Sequence, residues 1–273
     1  MKASTYEMHK LDVIKKWDST IVKDDGKSKK IKDNIQLGNQ IIISTNNIDM
    51  TVKNIHPLTT KTQWINDENI NWLSYELNRV DLLERDCRTR WCFSTWLVER
   101  LLLDQVPKGG VLSSKGLDEW YCYQQVARWS KRAKLNLSSL EMIAFPINYP
   151  KGSHWILVVA FPIIGEVHYF NSMGSGSRSQ SEVFMDLILR YIQDDVNQHY
   201  PLNQFTTKQW RKIDWGMLSP QQLDSSQCGV FVMSTMDHLF HKLPLVFTHE
   251  IVKDCFREKF ACDIIRGHLL YPK

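Results

Sequence analysis

Residues 154–173 read HWILVVAFPIIGEVHYFNSM. A histidine opens a seven-residue apolar run, Trp155–Phe161. A Pro–Ile–Ile–Gly break follows, then a shorter run ending in Phe170, Asn171 and Ser172. Short continuous apolar runs bounded by proline and glycine are the pattern of strands buried on both faces. The spacing predicts two strands joined by a turn near Ile164–Glu166. If they pair as an antiparallel hairpin, their outer ends lie side by side, and those ends carry His154 and Asn171. A strand end is a rigid place to hold a base at the rim of a cleft. Asn171 is then placed to accept the Nδ1–H of His154. Alone, each residue has a plainer reading: His154 as a strand-end residue, and Asn171 as the start of the turn NSMGSGS, where asparagine is common.

Elements of both kinds extend outward from this hairpin. NQIIIS, LEMIAFPINY and KIDWGML are further strand candidates. WINDENINWLSYELNRVDLLER carries Ile70, Leu73, Leu77, Val80 and Leu83 at helical spacing, with Asn66 or Asp67 as its cap. GLDEWYCYQQVARWSKRAK, SEVFMDLILRYIQDDVNQHY and the closing THEIVKDCFREKFACDIIRGHLL read as helices, and WCFSTWLVERLLL as buried whatever its form. Helices around a small central sheet make the class α+β. Residues 1–37 are polar and lysine-rich and read as a loose tail, with room for a short helix near Met8–Trp17. Residues 38–273 form the domain. KSKKIK within the tail is a solvated charge run or a nuclear address.

Composition excludes several classes. The formal net charge of +4 over 273 residues is far from the dense basic stripe of a nucleic-acid binder. No stretch approaches the apolar length of a membrane span, and the first residues lack the apolar middle of a secretory signal. The six cysteines, Cys87, Cys92, Cys122, Cys228, Cys255 and Cys262, include no CxxC pair, so zinc-finger and thioredoxin-like chemistry is unsupported. Reduced thiols in the nucleus or cytoplasm are the simplest reading.

One of those cysteines stands in a different context. In QLDSSQCGVFV, residues 222–232, Cys228 follows a polar loop and opens the helical pattern CGVFVMSTMDHLFHKL. The first turn of a helix offers free N–H groups and the positive dipole end, which favour a thiolate. A thiol protease also needs a base, a group to hold that base and donors for the oxyanion. His154 and Asn171 suit the first two. Gln222, in the same loop as Cys228, suits the last beside the Cys228 N–H. Taken singly, Cys228 reads equally as a small core residue and Gln222 as an ordinary loop residue.

The ordered set resembles the ubiquitin-like-protein-specific cysteine proteases, the Ulp/SENP family that processes SUMO and related modifiers. The resemblance is carried by WINDENINW, HWILVVAF, VHYFNSMG, PQQLDSSQCGVFV and FTHEIVKDCFREKFACDIIRGHL, and covers about residues 38–270. It implies a papain-like, adenoviral-protease-like fold: a small central mixed sheet flanked by helices. It also implies Cys228 as nucleophile, His154 as base, Asn171 as its orienting partner and Gln222 at the oxyanion. Trp64 and Trp155 would roof a tunnel that admits a terminal Gly-Gly, since only residues without Cβ thread between two indoles. The expected partners are SUMO or another ubiquitin-like protein and its lysine-linked conjugates, with no cofactor, no nucleic acid, no membrane and a monomeric enzyme. A deneddylase, a deubiquitinase, a polyprotein-processing relative, an acetyltransferase and a modifier-binding pseudoenzyme are the rivals. Two positions depart from the family, which usually has aspartate where Asn171 and Gln227 stand. Asparagine is chemically adequate, as in Cys-His-Asn proteases. A neutral Gln227 eases thiolate formation.

Overall fold

In the computed structural model, residues 5–17, 33, 36–45, 48–85, 87–102, 114–149, 154–174, 178–201 and 204–269 are described. The elements run α1 (Thr5–Lys15), β1 (Ile41–Thr45), β2 (Ile48–Thr51), α2 (Val52–Thr59), α3 (Asp67–Arg85), β3 (Arg90–Cys92), α4 (Trp96–Leu101), α5 (Ser114–Trp120), α6 (Trp129–Arg132), β4 (Met142–Asn148), β5 (Trp155–Phe161), β6 (Glu166–Phe170), α7 (Arg178–His199), β7 (Arg211–Asp214), α8 (Cys228–Phe240), α9 (His249–Ile251) and α10 (Arg257–Arg266). A π-helical stretch, Val252–Phe256, joins the last two.

The expected hairpin forms the middle of a five-stranded mixed sheet ordered β3-β4-β5-β6-β7. β4, β5 and β6 pair antiparallel, with Leu157 opposite Phe170, and the two edges are parallel. The alternation of β5 explains why its sequence is apolar throughout. Trp155, Leu157 and Val159 face one core with Val230, Phe231 and Met233 of α8 and Phe260 of α10. Ile156, Val158 and Ala160 face the other, with Phe184, Ile188 and Tyr191 of α7. Helix α8 is therefore central, and Cys228–Asp237 are buried along its whole first part. Lys259 of α10 ties the two helices by pairing with Asp237 of α8 at 3.1 Å, and also pairs with Asp263 of its own helix at 3.0 Å.

Two expectations change. The single helix expected over 116–134 is broken: α5 ends at Trp120, Cys122 is extended with its N–H on the Leu101 carbonyl at 2.7 Å, and α6 restarts at Trp129. Bonds to α7 hold the break, from Tyr121 Oη to Asp194 at 2.8 Å and from Ser130 Oγ to Asp195 at 2.8 Å. Tertiary partners here override local helix propensity. Near the N-terminus, Thr5–Lys15 is a helix docked on the domain rather than part of a loose tail. Leu11 and Ile14 are buried, Glu7 pairs with Arg266 at 2.7 Å, and the Trp17 and His56 rings meet edge-on at 5.0 Å. The charge run at 27–32 lies outside the described residues.

Candidate active site

His154 sits immediately before β5, its carbonyl taking the Tyr149 N–H at 2.8 Å. Asn171 sits immediately after β6. The hairpin brings them together: His154 Nε2 lies 2.8 Å from Asn171 Oδ1. The amide's orientation is set by a donor that cannot flip. Met173 N–H reaches Asn171 Oδ1 at 3.0 Å, so this atom is the carbonyl oxygen. Asn171 Nδ2 points to the Tyr169 hydroxyl at 3.4 Å. An oxygen facing the ring requires Nε2 to carry the proton, which leaves Nδ1 as the basic atom of the neutral imidazole. The partner nitrogen is thus Nε2, not the Nδ1 expected from the sequence. A strand-end hairpin predicts proximity, but not which edge of the ring turns inward.

Cys228 is the first residue of α8, with Gln227 as the N-cap. The backbone N–H groups of Trp155, the residue after His154, and of Gly229 and Cys228 itself lie near enough to the Cys228 sulfur to favour its thiolate. This puts the thiol at the His154 end of β5. Glycine at 229 is needed for the close approach. A Cβ there would overlap Ile65 Cγ1 and come within 3.0 Å of Trp155 Cδ1. Ile65 follows Trp64, so the segment carrying Trp64 lies against the start of the Cys228 helix. Trp155 is 6% exposed and belongs to the core, whereas Trp64 is 49% exposed. Of the two tryptophans, only Trp64 offers a broad free face.

Burial dominates the electrostatics. Cys228 is 2% exposed, and burial pushes its thiol above the ordinary cysteine value against the pull of the three amides and Arg257. Burial also pushes His154 below the ordinary histidine value, opposed by its bond to Asn171. The helix start alone favours a thiolate; here desolvation outweighs it. Burial thus works against the charged form of both groups, while the three amides and Arg257 favour it at the sulfur.

Gln222 is clasped to the Asn171 turn. Its backbone N–H donates to the Ser172 carbonyl at 2.7 Å, and Ser172 Oγ donates to Gln222 Oε1 at 2.6 Å. The Asp224 carbonyl, which can only accept, fixes which end of the amide is nitrogen. That nitrogen carries two hydrogens, one of which goes to the Asp224 carbonyl. From the sequence, Ser172 is only the second residue of the Asn171 turn, with no role of its own. Nor does the sequence single out Arg257, a fully buried cation whose signal is its place at the 257, 260, 261, 264 spacing of the buried α10 face. Among the described residues, no group of three or more His, Cys, Asp or Glu side chains is arranged to hold a metal. All six cysteines are free thiols.

A cysteine opening a central helix beside a strand-borne histidine and its amide partner, on an α+β scaffold, defines the class of cysteine peptidase domains. The narrower assignment comes from comparison. Residues 63–267 match the C-terminal catalytic domain of the Ulp1 protease family, and the chain belongs to that family. The chain is 29% identical over 235 residues to sentrin-specific protease 2 of Pongo abelii, covering 81% of this chain and 32% of that protein. It is 24% identical over 231 residues to ubiquitin-like-specific protease 1 of Saccharomyces cerevisiae, covering 83% and 31%. It therefore spans about a third of the length of these curated relatives. The fold matches that of the C-terminal Ulp1 protease domain solved in complex with Smt3, the yeast ortholog of SUMO. The TM-score is 0.65 at 22% identity, covering 88% of this chain and 96% of that one.

Proposed function

We propose that the chain is a SUMO-type protease that hydrolyses the peptide or isopeptide bond after the terminal Gly-Gly of SUMO or a related modifier. The carrying observation is the His154–Asn171 bond of 2.8 Å at the end of the strand whose next amide lies near the Cys228 sulfur. Membership of the Ulp1 protease family supports the reading, as do relatives named for sentrin and ubiquitin-like proteins.

In this mechanism His154 Nδ1 takes the Cys228 proton as the sulfur attacks the carbonyl of the terminal glycine. The carbonyl π pair moves to oxygen, where the Cys228 N–H and the second Gln222 amide hydrogen stabilise the oxyanion. On collapse, the C–N bond breaks and His154 returns the proton to the departing amine. A water then attacks the thioester, losing a proton to His154. The thiolate leaves and recovers that proton. Asn171 holds the ring throughout, and no cofactor takes part in any step. Because Cys228 is almost fully buried, the substrate must approach as a thin chain. That suits Gly-Gly passing between Trp64 and Trp155.

Among the described residues no helix is long and apolar enough to cross a membrane. We place the protein in the nucleus or cytoplasm, a reading supported by its six free thiols. The function is tested with SUMO carrying a C-terminal vinyl-sulfone or propargyl group, alongside the ubiquitin and neddylation-type equivalents. Labelling by the SUMO probe is expected, and its loss in Cys228→Ala but not in Cys255→Ala. Turnover retained in Cys228→Ala would sink the assignment.

A further inference from the structure

Arg257 opens α10 directly after the π-helical stretch, and its side chain is buried against the two segments that lead into the site. A guanidinium has five N–H donors. Here Nε donates to Gln227 Oε1 at 2.6 Å. One terminal nitrogen reaches the carbonyls of Pro57 and, at 3.1 Å, Thr60. The other reaches those of Gln63 at 2.8 Å and Ser226 at 3.1 Å. Pro57, Thr60 and Gln63 belong to the segment entering Trp64, while Ser226 and Gln227 immediately precede Cys228. Gln227 ties the same two segments, since its Nε2 donates to the Lys61 carbonyl at 2.6 Å. All five acceptors of Arg257 are neutral oxygens, so a full positive charge is buried beside the start of α8.

We propose that Arg257 is a positioning residue of the site, holding the Trp64 segment in register with the Cys228 segment while its charge, hydrogen-bonded only to amide and carbonyl oxygens, favours the Cys228 thiolate. The inference rests on the reading of Cys228 as nucleophile. Burial lowers the Arg257 guanidinium to about 10, still well above neutral pH, so the charge is present where the enzyme works. Of the remaining charged neighbours, Asp224 offsets the charge only in part. Asp224 bonds Gln227 Nε2 at 3.2 Å but is itself 3.6 Å from both His249 and Lys253. The Lys61 ammonium is paired with Asp254 at 2.6 Å, and burial disfavours the imidazolium form of His154. A lysine would keep the charge but has three donors on one atom, and cannot span both segments.

The test needs no modifier substrate. Iodoacetamide alkylation of Cys228 is followed against pH by the mass of its peptide, and amide hydrogen exchange is followed over residues 57–63 and 223–227. Arg257→Lys is expected to leave the alkylation midpoint in place and to raise exchange in both segments together. Arg257→Gln should raise the midpoint by about one unit, slowing alkylation at neutral pH about tenfold. Asp224→Asn, a milder change on a partly exposed residue, should lower the midpoint and speed neutral-pH alkylation about threefold. A midpoint unmoved in Asp224→Asn overturns the charge argument even if the Arg257 variants fail to fold. Unchanged exchange in either segment of a folded Arg257→Lys overturns the clasp. Because labelling and exchange are read without substrate, these outcomes stand apart from which modifier, if any, is cleaved.

Discussion

Replacing Asn171 by aspartate tests the proposed base directly. The site accommodates the change: a carboxylate can accept the Met173 N–H and the His154 Nε2–H as the amide oxygen does now, and take a hydrogen bond from the Tyr169 hydroxyl on its other oxygen. What changes is charge. Two unit charges about 4 Å apart attract by about 4 kcal/mol at an effective dielectric of about 20, or roughly three pKa units. Burying the new carboxylate offsets part of this, leaving a rise of about one to two units at His154. The sign is fixed, since a negative neighbour favours imidazolium, whereas in the native chain burial holds the ring below its ordinary value. The active pair shares one proton between Cys228 and His154, and losing it removes the acid needed by the departing amine. The alkaline limb of kcat/KM against pH should therefore move up by about one to two units in Asn171→Asp, with activity retained. Asn171→Ala should keep the thiol but free the ring, cutting kcat more than KM rises. An alanine variant with native rate and profile, or an aspartate variant with an unmoved limb, would refute the reasoning.

The two tryptophans should separate by stability. Trp64→Ala removes a half-exposed ring and should leave the thermal midpoint nearly unchanged while lowering kcat/KM on a folded modifier on the order of 10²-fold; Trp155→Ala empties a core position and should cost about 3–5 kcal/mol of stability besides. A Gly-to-Leu change at the penultimate residue of the modifier should abolish cleavage, and efficient turnover of that substrate would count against a tunnel. Acid should destabilise the fold through His154 and His168, both held below the ordinary histidine value chiefly by burial. Their contribution is complete above about pH 6.5 and is lost as pH falls through their lower folded values. Chemical denaturation between pH 7.5 and 5 should show this slope, reduced in His154→Gln; an identical slope in that variant would remove His154 from the account.

Much of this was legible because the central hairpin reports itself twice, once by continuous apolar strands and once by its break at Pro162–Gly165. Helices α3, α7 and α8 were legible from period alone. The 116–134 region was not, because the bonds that break it come from Asp194 and Asp195, far along the chain. The docking of α1 was hidden for the same reason: its apolar contribution is little more than Leu11 and Ile14, and its ion pair is made with Arg266. Local pattern carries the strength of a segment's own preference but not the identity of a distant partner.

At the site the same division has a chemical consequence. On the proposed reading, His154, Asn171, Gln222 and Cys228 were legible as candidates because each role needs a particular functional group on an element end or in a loop. The amides at 171 and 227 were legible as departures from the family's aspartates; the buried Arg257 that faces Gln227 was not, because packing brings it there. A carboxylate at 171 would hold the imidazolium, and one at 227 would neutralise Arg257 and work against the thiolate. The chain has an amide at both positions. On the proposed reading, both substitutions move stabilisation of the reacting ion pair away from the histidine end and toward the sulfur, where the Trp155 amide and the buried Arg257 act. Restoring one carboxylate alone should then have opposite effects at the two places: at 171 it strengthens the pair, while at 227 it weakens it. Two changes of equal charge and opposite outcome depend on the direction of the field across the site, which a purely steric role for either residue would not produce.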